Sequence, residues 1–477
     1  MKKYIVIITA IAFISSCSDF GDLNVNPKAP TAVPAETLFA NATKNLSDQM
    51  TSTNVNVNIF RLFAQYWTET TYIDEANYDL VTRNIPGTHW DRLYRDVLKD
   101  LDETRIVLLA TEDGTRAEVR ANQMALISIL EVFTYHVLVD TFGDVPFTEA
   151  LDANNVLPAY DNDEDIYDAI IMQLDEAIGM ISPNEESFGD SDLIYNGNMN
   201  AWMRFANSLK LRMAVRIAAV DAGRAATMAS EAIAGGIFTS NADNASFQYL
   251  SASPNTNPVW VDLVQSGRQD FIPANTLVDI MNNLQDPRRA VYFDDNMGAG
   301  VYIGGTYGQN APYGTHTHVG EIFHQPDTEA LLMDYAEVEF LLAEAAELGL
   351  AGMPADAETH YNNAIAASFE YWGISELALA LYLLNPDVAY TTAAATWQEA
   401  IATQKWLALY NRGFEGWSTY KLYGYPIMNI PPISMEAVPR RYTYPIDEPT
   451  VNGASYQAAS QAMGGDLKSS RVFWDVN

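Results

Sequence analysis

From Val119 to Val139 the chain is apolar on nearly every side of a helix. A helix with no polar face to turn to water must be buried in a large core. A small domain cannot enclose it, so the remaining elements have to be arranged around it. Tyr135 and His136 within this stretch therefore read as core residues rather than ligands. Composition agrees, since 48% of the 477 residues are hydrophobic and 18% are charged, which favours a packed core over disorder.

Around this stretch the apolar residues recur at helical spacing. Ile59, Leu62, Phe63, Tyr66 and Thr70 predict one helix. After a break at Gly87, a second follows from Trp90, Leu93, Tyr94, Val97, Leu98 and Leu101. Thr141-Phe142-Gly143-Asp144-Val145-Pro146-Phe147 reads as a turn. Asp161-Asn162-Asp163-Glu164-Asp165 resembles a calcium loop only briefly. Ile166 stands where glycine is needed and Met172 where glutamate is needed, so this is the acidic cap and first turn of a helix through Ile170, Leu174 and Ile178. Another helix begins at Asn200, with Trp202, Phe205, Leu209 and Met213 on one face. It carries a rare basic cluster, Arg204, Lys210, Arg212 and Arg216, expected to pair with the surplus acids.

Between about 237 and 326 the helical signal fades into Gly, Pro, Asn and Tyr, apart from a short helix over Pro273 to Leu284. An insert of this length in a helical protein is often functional. Amphipathic segments return over Leu331 to Leu348, Pro354 to Trp372 and Thr392 to Tyr410. The first two fit a tetratricopeptide helix pair through Ala345, Leu348, Gly349, Tyr361, Ala364 and Ile365. Other pairs match less well, so the repeat is degenerate. The fold expected is mostly α, with stacked helix pairs and a loop-rich insert.

The chain opens with Lys2 and Lys3, an apolar run from Tyr4 to Ile14, and then Ser15-Ser16-Cys17. The run is too short to span a membrane, which takes about 20 apolar residues. It has the form of a signal peptide, residues 1–16, ending in a lipobox-like sequence that leaves Cys17 as a lipidated first residue. Cys17 is the only cysteine, so no internal disulfide forms. The polar, proline-containing stretch up to residue 34 reads as a tether, and residues 35–477 as one folded unit. The acidic residues soon after Cys17 resemble the surface-export signals of some Gram-negative lipoproteins, so an outer-membrane, surface-exposed location is expected.

The net charge of -34, from 27 basic and 61 acidic residues, argues against nucleic acid as a ligand. No HExxH, CxxC, GxSxG or Walker A pattern occurs. His316-Thr317-His318 with Glu321 is a weak metal signal, and no single carboxylate pair stands out among so many acids. No catalytic residue, metal or cofactor is expected.

Several stretches together resemble the SusD/RagB family of nutrient-binding outer-membrane lipoproteins. They are the lipobox at Cys17, Thr141 to Ala150, Trp202 to Arg212, Met333 to Ala345, Gln404-Lys405-Trp406, Arg412 to Trp417, Arg440-Arg441 and Phe473-Trp474-Asp475. The resemblance implies a SusD-like α superhelix and a SusC-like TonB-dependent barrel as partner. It also implies a function of binding glycan or peptide and passing it down to that barrel. A lipid-anchored glycoside hydrolase and a helical-repeat scaffold are the alternatives. The family's motifs name no ligand residues. The insert itself offers Trp260, which follows Asn255-Thr256-Asn257-Pro258, with Arg268, Gln269 and Asp270 close behind. Trp260 is either an aromatic platform or a plug under the insert. Tyr72 and Asn77, in an early loop after a helix containing Trp67, form a second candidate patch.

Overall fold

The computed structural model describes residues 33–350 and 352–477. The expected signal peptide, Cys17 and the expected tether as far as residue 32 lie outside the described residues. Helix α1, Ala35–Thr51, opens the fold and packs against Lys99–Ala110. The all-apolar segment forms α2, Ala117–Phe142, longer at both ends than its periodicity predicts. It is long and apolar enough to cross a membrane by composition, yet its most hydrophobic window is completely buried inside the protein. Gly143, at φ +81°, ends it in a conformation that favours glycine.

Helices then follow as neighbouring pairs: α2 with α3 (Asp163–Met180), α4 (Met199–Ile217) with α5 (Ala222–Gly235), and α6 (Tyr335–Glu347) with α7 (Ala357–Tyr371). A last pair is α8 (Trp397–Ala408) with α9 (Gly413–Tyr423). The expected mostly helical, paired architecture is what the chain adopts. Asn162 caps α3, its side chain accepting from the backbone N–H groups of Glu164 and Asp165. Tyr361, Ala364 and Ile365 of α7 pack in one buried cluster with Phe340 and Ala343 of α6, while Ala345 is buried in the main core.

Among the described residues there are four short strands, and three of them enter segments whose spacing predicts helix. Of the Ile59–Thr70 run, only Phe60–Phe63 is helical. Gln65 turns the chain at φ +53°, and Trp67–Glu69 becomes β1. Ala245–Phe247 is β2, Phe271–Pro273 is β3 and Ala330–Met333 is β4. β1 pairs with β3 and β2 with β4, both antiparallel. The helices predicted from Pro273 and Leu331 accordingly start later, at Asn275 and Tyr335. Backbone pairing with a distant strand outweighs local periodicity at these places. Gly87 does not break the chain either. It lies in the helix Ile85–Asp91, where an added Cβ would come within 2.4 Å of the Asn84 side chain.

The basic cluster of α4 does pair with acids, mostly inside the core. Arg212 donates to both oxygens of Glu337 at 2.6 and 2.8 Å, and Arg412 shares Glu337 while donating to Asp334 at 2.8 Å. Arg216 donates to Glu415 at 2.9 Å and lies 3.2 Å from Asp140. Arg204 meets Asp243, and Lys210 meets Asp175 and Glu231. Burial opposes ionisation of Glu415, but the guanidinium groups of Arg212 and Arg216 overcome it and hold its pKa at about 2. This network ties α4, α6 and α9 together through charges that no single helix could satisfy alone.

Candidate functional site

The β1–β3 ladder brings the two candidate patches together. Its register sets Glu69 opposite Phe271, and hydrogen bonding continues past it. Thr70 N–H donates to the Asp270 carbonyl at 2.8 Å, and the Thr70 hydroxyl donates to the Gln269 carbonyl at 2.6 Å. Tyr72, at φ +55°, leaves the strand course and lies near enough to Arg268 to act on its charge. Tyr72 is 69% exposed. Arg268 is also exposed and pairs with Asp270, whose hydrogen bond and charge raise its pKa, with the Tyr72 and Asp262 groups contributing.

Trp260 ends a one-turn helix, Pro258–Trp260, capped by the Asn257 side chain, which accepts from Val259 N–H at 2.7 Å. Val259 and Leu263 turn toward the core while Trp260 stays half-buried. Among the described residues, Trp260 alone of the nine tryptophans has neither an aromatic ring nor a cation packed on it. Asp262, two residues on, accepts from the Asn54 amide at 3.1 Å. Burial, reinforced by the Asp270 charge, pushes its carboxyl up to about 6.

Asn77 has a different place. Its amide donates to the carbonyls of Ile73 and Gly308 at 2.8 and 2.9 Å, and its oxygen accepts from Ser434 N–H at 3.0 Å. With its polar atoms committed to three backbone segments, it fastens loops rather than facing outward. Beneath this loop Glu69 and Glu75 are buried together. Burial, and then the Glu75 charge, drives the Glu69 pKa well upward.

A third segment, not singled out as a ligand candidate by sequence, joins the face. Gly305 bridges Ala274, and Ala311 N–H donates to the Thr70 carbonyl at 3.2 Å. Beyond it Tyr313 stacks on His318, with centroids 3.7 Å apart and planes 17° from parallel. His318 also bonds the Tyr313 carbonyl, and His316 the Pro312 carbonyl. The histidines thus shape their own loop. Among the described residues no group of three or more His, Cys, Asp or Glu side chains is arranged to hold a metal. Only the aromatic and glycine richness of the insert hinted at this contribution.

The exposed ring of Tyr72 thus lies near charges of both signs, Arg268, Asp262 and Asp270, while the half-buried Trp260 and Tyr313 sit on the segments that lead to them. Such a surface can stack on flat or C–H-rich ligand faces and hydrogen-bond their edges. A cavity of about 350 Å³ beside Trp90 shares no residue with it.

A mostly helical protein of degenerate helix pairs with a loop-built aromatic face is the class defined so far. A family model described as "Starch-binding associating with outer membrane" matches residues 27–445, and the chain belongs to this SusD-like family. Among solved structures, a chitin-binding protein superposes with a TM-score of 0.80 at 25% identity, covering 93% of this chain and 100% of its own. A chitin-binding SusD homologue from Flavobacterium johnsoniae gives 0.77 at 26% identity over 93% and 99% of the two chains. A SusD homologue from Bacteroides uniformis gives 0.78 at 27% over 92% and 99%. No curated protein matches the sequence significantly.

Proposed function

We propose that this chain is a surface lipoprotein of the outer membrane, anchored through Cys17, that captures a glycan and passes it to a SusC-like TonB-dependent barrel. It acts by binding, without covalent chemistry. Membership of a starch-binding, outer-membrane-associated family supports the glycan class, and so do the two structural neighbours described as chitin-binding. The location is supported by the β1–β3 ladder, whose hydrogen bonding continues from Thr70 to Asp270 and leads the Tyr72 segment toward Arg268. An open aromatic face suits a polymer that passes along it, since no wall limits chain length. The stacked helix pairs offer the extended surface on which a barrel would rest.

Calorimetric titration of the purified protein tests the reading with soluble glucans, chitooligosaccharides and, as a control class, oligopeptides. Glycan binding with the ligand recovered intact is expected. Steady release of shortened products would replace this reading with an enzyme. Binding of peptides alone would keep the capture role and discard the glycan.

A further inference from the structure

A second aromatic site lies on elements the proposed face does not use. The cavity of about 350 Å³ opens between the helical segment from Ile85 to Leu98, the loop after Pro146, and the short helix Glu448–Val451. Three rings line it. Trp90 lies 5.0 Å from Tyr94 and 5.7 Å from Tyr160, centroid to centroid, with planes tilted by 46° and 38°. All three are half-buried, so each keeps ring surface accessible. Trp90 is held from within by Phe142 at 5.2 Å and Tyr444 at 6.2 Å. Tyr94 O–H donates to the Pro146 carbonyl at 2.6 Å, and Tyr160 O–H donates to the Glu448 carboxylate. The rings are therefore set in place before any ligand arrives, which lowers the ordering cost of binding.

The loop side is also built. The Glu149 carboxylate accepts from Asn155 and from Ala159 N–H, both at 2.9 Å, and Asp161 accepts from Phe147 and Thr148 N–H, both at 2.9 Å. This fixed loop exposes Val156 at 76%, and Val451 on the facing helix is 59% exposed. Neither side chain is placed to stabilise the core.

The polar edge selects the ligand. Glu448 has no cationic partner among the described residues, while Arg95, paired with Asp96, and Lys99, paired with Asp102 and Glu103, also line the cavity. An anion would meet Glu448 and a cation would meet Arg95 and Lys99. A neutral polyol can donate to the first and accept from the others, while its C–H face stacks on the rings. We propose that this cavity is a second carbohydrate site, taking a neutral sugar ring of a chain whose other part lies on the Tyr72 face or on another polymer strand. The volume falls in the range of small-ligand pockets and holds roughly one or two rings. The ligand class rests on the glycan reading above. Two sites on one chain raise avidity for a polymer without raising affinity for a short fragment.

The test compares polymers with short fragments. The mature full-length chain is run in affinity gels containing glycogen or glycol chitin, and titrated with maltotriose and chitotriose. Val156→Trp fills the cavity mouth from an exposed position, and Glu448→Gln replaces the charged acceptor at the polar edge with a weaker neutral one. Each is expected to weaken polymer retention about tenfold or more, while the trisaccharide affinity of the Tyr72 face stays within about twofold. In 5-fluorotryptophan-labelled parent protein, millimolar glucose or N-acetylglucosamine should move the fluorine resonance assigned to Trp90 by its loss in Trp90→Phe. If Val156→Trp melts early, Glu448→Gln and the Trp90 resonance decide. Parent-like polymer retention in the variants, with an unmoved Trp90 signal, overturns the second site alone. Absence of glycan binding by the parent overturns this inference together with the glycan reading.

Discussion

Replacing Glu415 with Gln should destabilise the protein at neutral pH and leave it unchanged near pH 2. Glu415 is buried, accepts from Arg216 at 2.9 Å and lies 3.4 Å from Arg212. The variant keeps the shape but removes the charge. Its pKa, held at about 2 against an ordinary 4.5, measures what the network gains from ionisation. At 1.36 kcal/mol per unit this is about 3 kcal/mol, at the lower end of the ~3–5 kcal/mol seen when one partner of a buried pair is removed. Because the folded pKa is depressed, the contribution is full above pH 4.5 and is lost as pH falls toward 2. With an unfolding entropy of ~2.1 cal/mol/K per residue over a chain this long, about 3 kcal/mol lowers Tm by roughly 3 °C. Calorimetric scans of parent and Glu415→Gln from pH 7 to pH 2.5 should show that gap at pH 7 and its closure on acidification. An equal Tm at pH 7, or a gap that persists in acid, would refute the assignment of Glu415 as a charge held by two arginines. Glycan affinity should be unaffected, since none of these groups belongs to the aromatic face.

On that face, Trp260→Ala and Tyr72→Ala should each lose about 2 kcal/mol of glycan affinity, read by titration, with Tm near the parent value; a collapse in Tm for Trp260→Ala would make it a plug under the insert instead. Asn77→Ala should do the reverse, lowering stability by about 1–3 kcal/mol in urea through three lost backbone bonds while any ligand effect stays indirect. Burial, with the Arg92 charge added, lowers His89 from 6.5 to about 3, so its neutral form supports the fold and stability falls as pH drops below 6.5; His89→Gln should flatten the pH 6.5–4.5 part of that decline. Cys17→Ala should abolish fatty-acid labelling and release the protein from the membrane fraction, and label retained in the variant would remove the lipid anchor from the proposed function.

The helical half was legible because its elements are set by local patterning. The apolar run around Val137 can only be an interior helix, and the acids from Asp163 to Asp165 sit where a helix dipole favours them. The strands were not legible for a physical reason. Trp67–Glu69, Phe271–Pro273 and Ala330–Met333 are three or four residues long and buried at every position, so they show no alternation to read. Each is stabilised by a partner more than 80 residues away, which no local window contains. The helix predicted through Tyr66 and Thr70 failed on this point, because Thr70 has its hydrogen bonds with Gln269 and Asp270.

The same reasoning explains why the family could be recognised while the proposed ligand face could not. Arg212, Glu337, Lys405, Arg412 and Glu415, all within the stretches that carry the resemblance, are buried members of ion pairs. A buried charge has few tolerable replacements, because removing one partner leaves the other unpaired in the core. Such residues are constrained by the fold whatever the ligand. Tyr72, Trp260 and Tyr313 carry no comparable constraint. Tyr72 lies just beyond a segment that the β1–β3 ladder holds through backbone atoms, and backbone bonds accept almost any side chain. A face held by its main chain is free to vary in the groups it displays. The ligand of the proposed face must therefore be sought on the surface around Tyr72, Arg268 and Asp270, and cannot be read from the motifs that hold the core.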